Sequence, residues 1–334
     1  MILTEPKLEY KAGFPFEAEL CRIGKTLPHR HPTELELIYV FEGSIRIRVA
    51  EQEAVLSKGD VHSIDFYDIH FLENAANGDD CAENDNLVLL LHLDLSKLPC
   101  WEELQPVFFA CETTHCFPYQ EGAMSRVKDL ILSLAYVYFR GESGDFSESV
   151  DELIRILRKY FNWFNYNNHD EFMNIDLYNR FERILTYILD NYREKISVSQ
   201  LAEKENINRN YFSQFLSKTV FLSFGNMVNF IRCYNAEPLL VATDMSISDI
   251  AFECGFSDPK YFYAAFKQLW HRTPSEHRCL YRRQYASAMA EIESMRTTKS
   301  GTITDEAAAL IIKDYITEWH LTKTSSPVSL GYQA

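Results

Sequence analysis

The apolar positions change period along the chain. Between residues 1 and 95 they alternate or run in short blocks. Ser44–Val49 puts Ile45, Ile47 and Val49 on one face and Arg46 and Arg48 on the other, the period of a half-buried strand. The apolar run Leu35–Phe41 precedes it, and Glu42-Gly43 between the two reads as a hairpin turn. Lys58-Gly59-Asp60 is a turn before a strand over 61–66, and Leu87–Leu93 is a buried apolar strand. Many short strands with turns between them predict a small barrel.

From residue 100 the spacing becomes helical. The stretch 129–140 is apolar. Val150, Leu153, Ile154, Leu157, Tyr160, Phe161 and Phe164 follow the i, i+3, i+4, i+7 pattern of an amphipathic helix, with Ser147 as its expected cap. Polar Asn165–Asp170 reads as a linker. A helix over 176–192 turns Phe181, Ile184, Leu185 and Ile188 inward. Near the C-terminus, helices are expected over 286–295 and 304–319, the second with Leu310, Ile311, Tyr315 and Trp319 on its apolar stripe. Residues 297–301 and the tail from Ser325 look loose.

The most informative pattern is helix, tight turn, helix over residues 245–267. Ser248 and Asp249 are candidate caps for a short helix that turns Ile250, Ala251 and Cys254 to one side. Gly255 supplies a left-handed turn residue, and Ser257-Asp258-Pro259 opens a second helix with Phe262 and Phe266 inward. The pattern occurs once before. Leu201-Ala202 aligns on Ile250-Ala251 and Asn206 on Gly255 at an offset of 49, and Phe212 aligns on Phe262 at an offset of 50. Asparagine is the other residue that tolerates a left-handed backbone.

With DMSISDIAFECGFSDPKYFYAAFKQ over 244–268 and TPSEHR over 273–278, residues 196–283 resemble the DNA-binding domain of AraC/XylS-type transcriptional regulators. The resemblance covers about a quarter of the chain closely. It implies two helix-turn-helix motifs reading successive major grooves of double-stranded DNA, bridged by a helix over 225–241. The expected DNA-facing residues are Arg209, Asn210, Ser213, Gln214 and Lys218 in the first motif, and Lys260, Tyr263, Ala264 and Lys267 in the second. Asparagine and glutamine can bond adenine bidentately, while lysine and arginine serve guanine or phosphate. Four residues depart from the family pattern. Gln214 and Ala264 stand where arginine is frequent, and His271 stands where glycine is usual. Pro238 lies inside the bridging helix and is expected to kink it or end it early, because proline lacks the N–H and clashes with the carbonyl of Tyr234.

A second constellation lies in the β region. His29-x-His31-x4-Glu36-x6-Gly43 and Gly59-x5-Asp65-x-Tyr67-x2-His70-x3-Asn74 have the spacing of the two cupin motifs, with Asp65 and Tyr67 replacing a proline and a glycine. The segment resembles the cupin-type sensor domain that many AraC-family proteins carry. The resemblance makes His29, His31, Glu36 and His70 the matching positions of a metal-binding cupin. Three imidazoles and one carboxylate suit a divalent metal such as zinc, iron, manganese or nickel. The competing reading has the same four side chains line a metal-free effector pocket. No cofactor is fixed by the sequence beyond that candidate metal.

The expected fold is α+β and multidomain. A cupin-like β-barrel spans 1–99, and a helical dimerisation or linker segment spans 100–172. An all-α double helix-turn-helix domain spans 173–284, and a helical tail of unknown role spans 285–334. By resemblance the segment 100–172 pairs between subunits of a homodimer; the alternative is that it packs on its own barrel.

Charge and cysteine content modify this picture only slightly. The net charge of −15 belongs mostly outside the DNA-binding region: residues 176–284 hold 14 Lys/Arg against 12 Asp/Glu, and the remainder holds 19 against 36. A balance that modest predicts weak non-specific DNA binding and reliance on dimerisation. The 8 cysteines have no metal-site spacing, the N-terminus has no signal-peptide pattern, and no apolar run reaches membrane-spanning length. A cytoplasmic location is expected, with no membrane partner. The functional expectation is a ligand-responsive transcription regulator and not an enzyme. The habits of the family it resembles, together with aromatic residues beside the polar cluster, make a carbohydrate the leading guess for the effector. The alternatives are a metal-dependent cupin enzyme and a ligand-independent DNA-binding protein.

Overall fold

The computed structural model describes residues 5–49, 52–66, 68–75, 86–104, 107–142, 144, 146–162, 175–219, 221–295 and 303–325. The expected linker at 165–170, the loose segment 297–301 and Tyr67 lie outside them, as does the tail beyond Ser325. Seven strands come first: β1 (Phe16–Cys21), β2 (Glu34–Glu42), β3 (Ser44–Val49), β4 (Gln52–Ser57), β5 (Val61–Ile64), β6 (His70–Asn74) and β7 (Leu87–Asp94). They form two antiparallel sheets, ordered β1-β7-β2-β5 and β4-β3-β6.

The hairpin expected around Glu42-Gly43 is not formed. β2 pairs with β5 and β7, and β3 pairs with β4 and β6, so the chain crosses from one sheet to the other at Gly43, whose φ is +65°. The reason lies in burial. β2 is covered on both faces, with Leu35, Leu37, Tyr39 and Phe41 in one core and Ile38 and Val40 in another. A strand buried in this way sits in the middle of a sheet and has no edge left for β3. Ile45 and Ile47 of β3 face Ile38 and Val40 across the sheets, as their alternation predicts.

Helices follow: α1 (Trp101–Leu104), α2 (Glu121–Arg140), α3 (Ser147–Tyr160), α4 (Ile175–Asn191), α5 (Val198–Lys204), α6 (Arg209–Ser217), α7 (Phe224–Ala242), α8 (Ile247–Glu253), α9 (Pro259–Trp270), α10 (Pro274–Met295) and α11 (Asp305–Ser325). Val150, Leu153, Ile154 and Leu157 of α3 are buried with α2 against the outer face of the first sheet. Ser147 is the first residue of α3 and does not cap it; Phe146 precedes the helix without a side-chain cap. α11 docks on this same core. It buries Ala308, Ala309 and Ile312, pairs Asp305 with Lys11 at 2.7 Å, and sets the Tyr315 ring against Tyr39 and Phe41. Leu310, expected on its stripe, is exposed.

The repeated pattern becomes two helix pairs, α5–α6 and α8–α9, with α7 between them. Asn208 and Asp258 cap α6 and α9 by accepting from the backbone N–H of Tyr211 and Lys260. Ser246, not Ser248 or Asp249, caps α8. Asn206 and Gly255 both adopt the left-handed conformation at the turns, with φ of 53° and 83°. A Cβ at Gly255 would lie 2.6 Å from the carbonyl oxygen of Tyr192, so this turn requires glycine for space as well as for backbone angle. His271 ends α9 with φ of 51°, which accounts for a position where glycine would be at ease. α7 runs through Pro238 and ends at Ala242, so the helix does not stop early. Its Met227, Val228 and Ile231 complete the core of the first pair, while Cys233, Ala236 and Leu240 complete that of the second.

Candidate functional site

Two places gather chemistry. One is the outer surface of the helical domain. Phe212, Phe215 and Leu216 of α6 and Phe262, Ala265 and Phe266 of α9 are buried, which turns the opposite faces to solvent. Arg209, Asn210, Ser213, Gln214 and Lys218 are all exposed, as are Lys260, Tyr263, Ala264 and Lys267. Lys260 sits 3.1 Å from the Asp258 carboxylate, and Tyr263 shares a hydrogen bond with Ser275 at 3.3 Å. Tyr211 and Tyr261, which the sequence reading passed over, occupy equivalent positions on the two helices and are 41% and 55% exposed. The signal was their offset of 50, the same as that of the buried Phe212 and Phe262 beside them.

The other place is the polar end of the space between the sheets. β2 brings Glu36, β6 brings His70, and the segment before β2 brings His29 and His31. One ligand atom from each lies within 4.8 Å of all the others. Glu36 Oε2 is 2.9 Å from His70 Nε2 and 3.5 Å from His31 Nε2. A fifth side chain joins them. His92 of β7 stands directly opposite Glu36 in the sheet register, with Nε2 3.8 Å from Glu36 Oε1. The sequence reading treated β7 as uniformly apolar, yet a histidine inside Leu-Leu-Leu-His-Leu was the signal.

The backbone fixes the direction of two imidazoles. Nδ1 of His29 lies 2.8 Å from the Leu27 carbonyl oxygen and Nδ1 of His70 lies 3.0 Å from that of Asp68. A carbonyl oxygen can only accept, so each Nδ1 carries a proton. In the neutral ring, Nε2 then offers a lone pair. Burial, with His70 adding, lowers His29 to about 3, and burial lowers His92 to about 4, so both are neutral at ordinary pH. Burial alone would raise the Glu36 carboxyl; His70, with His31 and His92, reverses this and holds it well below the usual carboxylate range. His31, Glu36, His70 and His92 all have buried polar atoms without an aligned hydrogen-bond partner. The 2.9 Å Glu36–His70 approach is close but does not have hydrogen-bond geometry. Converging lone pairs and one buried negative charge form a donor set that fits a divalent cation, whose ligands must be deprotonated.

Tyr39 and Phe41 point from the opposite face of β2 into the α2–α11 core, and Phe71 lies against the Arg48 guanidinium.

Residues 201–279 match the family model for a helix-turn-helix domain, and residues 23–82 match that for a cupin domain. The HTH-type transcriptional regulator YijO of Escherichia coli is 35% identical over 111 residues, which are 33% of this chain and 38% of that protein. An HTH-type transcriptional regulator of Staphylococcus aureus is 22% identical over 271 residues, 78% of this chain and 34% of that one. The chain thus spans little more than a third of the length of the curated relatives it matches. The C-terminal domain of the response regulator yesN of Fusobacterium nucleatum aligns at 30% identity, covering 30% of this chain and 98% of that one, with a TM-score of 0.28. ToxT of Vibrio cholerae, solved with an unsaturated fatty acid bound, aligns at 14% identity over 81% of this chain and 97% of its own, with a TM-score of 0.39.

Proposed function

From a chain that joins an N-terminal cupin domain to a C-terminal helix-turn-helix domain of the AraC type, we infer a sequence-specific, ligand-responsive transcription regulator. The observation that carries this is the duplicated helix pair, whose two helices α6 and α9 bury their aromatics and expose polar faces. α7 is shared by both cores, so the two faces are held at a fixed separation and can enter successive major grooves. Asn210 and Gln214 are the base-reading residues of α6. Arg209, Lys218, Lys260 and Lys267 contact phosphate, and Ala264 meets a thymine methyl. Nearly balanced charge in this region favours action as a homodimer in the cytoplasm, where two weakly basic domains share one site.

In the cupin domain His29, His31, Glu36 and His70 hold a divalent cation, with His92 beside them. The cation is the signal itself or the anchor of a small effector. Such a centre alone would serve a metal-dependent enzyme equally well, and the paired helix-turn-helix favours the regulator. The base-reading assignment is tested by Asn210→Ala and Gln214→Ala, each expected to relax preference at one base by ~1–3 kcal/mol. Selection of binding sites by each variant measures this; unchanged preference at every position would remove α6 from direct readout.

A further inference from the structure

Among the described residues, Phe66, Asp68 and Ile69 bring the cupin centre against the helical domain. Asp68 holds the His70 ring by its backbone, accepting from Nδ1 at 3.0 Å. Its side chain stands beside the hydroxyl of Tyr234, a residue of α7. The Tyr234 hydroxyl donates to the carbonyl oxygen of Phe66 at 3.1 Å. Next to it Ile69 is buried against Val241 and Tyr281, whose hydroxyl reaches the Ile69 carbonyl at 3.5 Å. The ring of Tyr234 is set against Phe108 and Phe230. α7 is weakest at this point, because Pro238 supplies no N–H to the Tyr234 carbonyl. The segment is thus tied on one side to His70 through the Asp68 carbonyl and on the other to α7 through the Phe66 carbonyl.

We propose that Asp68 and Tyr234 are positioning residues that couple the His29/His31/Glu36/His70 centre to α7, and so to the relative placement of α6 and α9. This rests on the cation reading of the centre given above. His70 is the only one of the four ligands whose second ring nitrogen is tied to the segment that touches the helical domain; Nδ1 of His29 is tied to Leu27. A shift of the His70 ring that satisfies its Nε2 lone pair is carried to Asp68 through the Nδ1 bond. Asp68 and Phe66 pass it to Tyr234, at the proline-weakened turn between the two DNA-reading halves. Coupling of this kind is reciprocal, so a change in α7 alters cation affinity by the same factor.

The test is amide hydrogen exchange of the full chain with and without Zn2+. In the wild type, Zn2+ is expected to change exchange by about fivefold or more both at 29–36 and 70–72 and in α7 at 231–241. In Tyr234→Phe, which keeps the ring packing, the cupin response is retained and the α7 response is lost, at an unchanged melting temperature without metal. Tyr281→Phe removes the weaker contact and reduces the α7 response without abolishing it. An α7 response that survives Tyr234→Phe overturns the proposal. So does a wild type that responds in the cupin domain alone. No response at 29–36 and 70–72 in the wild type would instead sink the cation reading, and the coupling with it.

Discussion

His277→Ala is expected to destabilise the second helix-turn-helix by about 3–5 kcal/mol and to abolish DNA binding that needs both motifs. His277 and Glu237 are buried and meet at 2.8 Å, tying α10 to α7. Removing the imidazole leaves the Glu237 carboxylate buried without its partner. It also opens a cavity among Phe266, Trp270 and Tyr281, whose rings surround it. Both effects act on α7, the helix that completes both cores. Chemical denaturation of the full chain measures the loss. The double variant Glu237→Met with His277→Phe should recover much of it, because no charge is then left alone. A single-variant loss below about 1 kcal/mol, the range of an exposed pair, would mean that the contact does not hold the domain together.

Glu36→Gln is expected to abolish the stabilisation by metal. In the wild type, Zn2+ at a hundred times its dissociation constant stabilises by about 2.7 kcal/mol, read as a rise in melting temperature, with one ion taken up per chain. Glu36→Gln loses that response, because one anionic ligand has gone. Without metal the variant is the less stable at neutral pH, because the imidazoles around Glu36 hold its carboxyl below the usual range and so favour the charged form in the fold. His31→Ala loses the metal response too. A wild-type chain that binds no Zn2+ would leave the centre as a hydrogen-bonding pocket.

The helical domain was legible because its local chemistry agrees with its packing. Asn206 and Gly255 mark the turns, Asn208 and Asp258 mark the caps, and the inward aromatics recur at nearly one offset. The four cupin side chains were legible through the resemblance to the cupin motifs that their spacing carries. What escaped was set by tertiary contact. Glu42-Gly43 has the composition of a hairpin turn, yet β2 is filled on both edges by β5 and β7, so β3 had to leave for the other sheet. His92 joins the centre only through the β2–β7 register, which pairs it with Glu36. α11 finds its place against Tyr39 and Phe41, far away in sequence. The Asp68–Tyr234 contact spans two domains, so no local pattern could have announced it.

The most direct test of the central claim is selection of genomic DNA fragments by the purified full chain, with and without Zn2+, followed by sequencing. The expected result is enrichment of sites with two elements about one helical turn apart, at an affinity that changes when Zn2+ is present. Fragments recovered without any shared sequence under both conditions would contradict it.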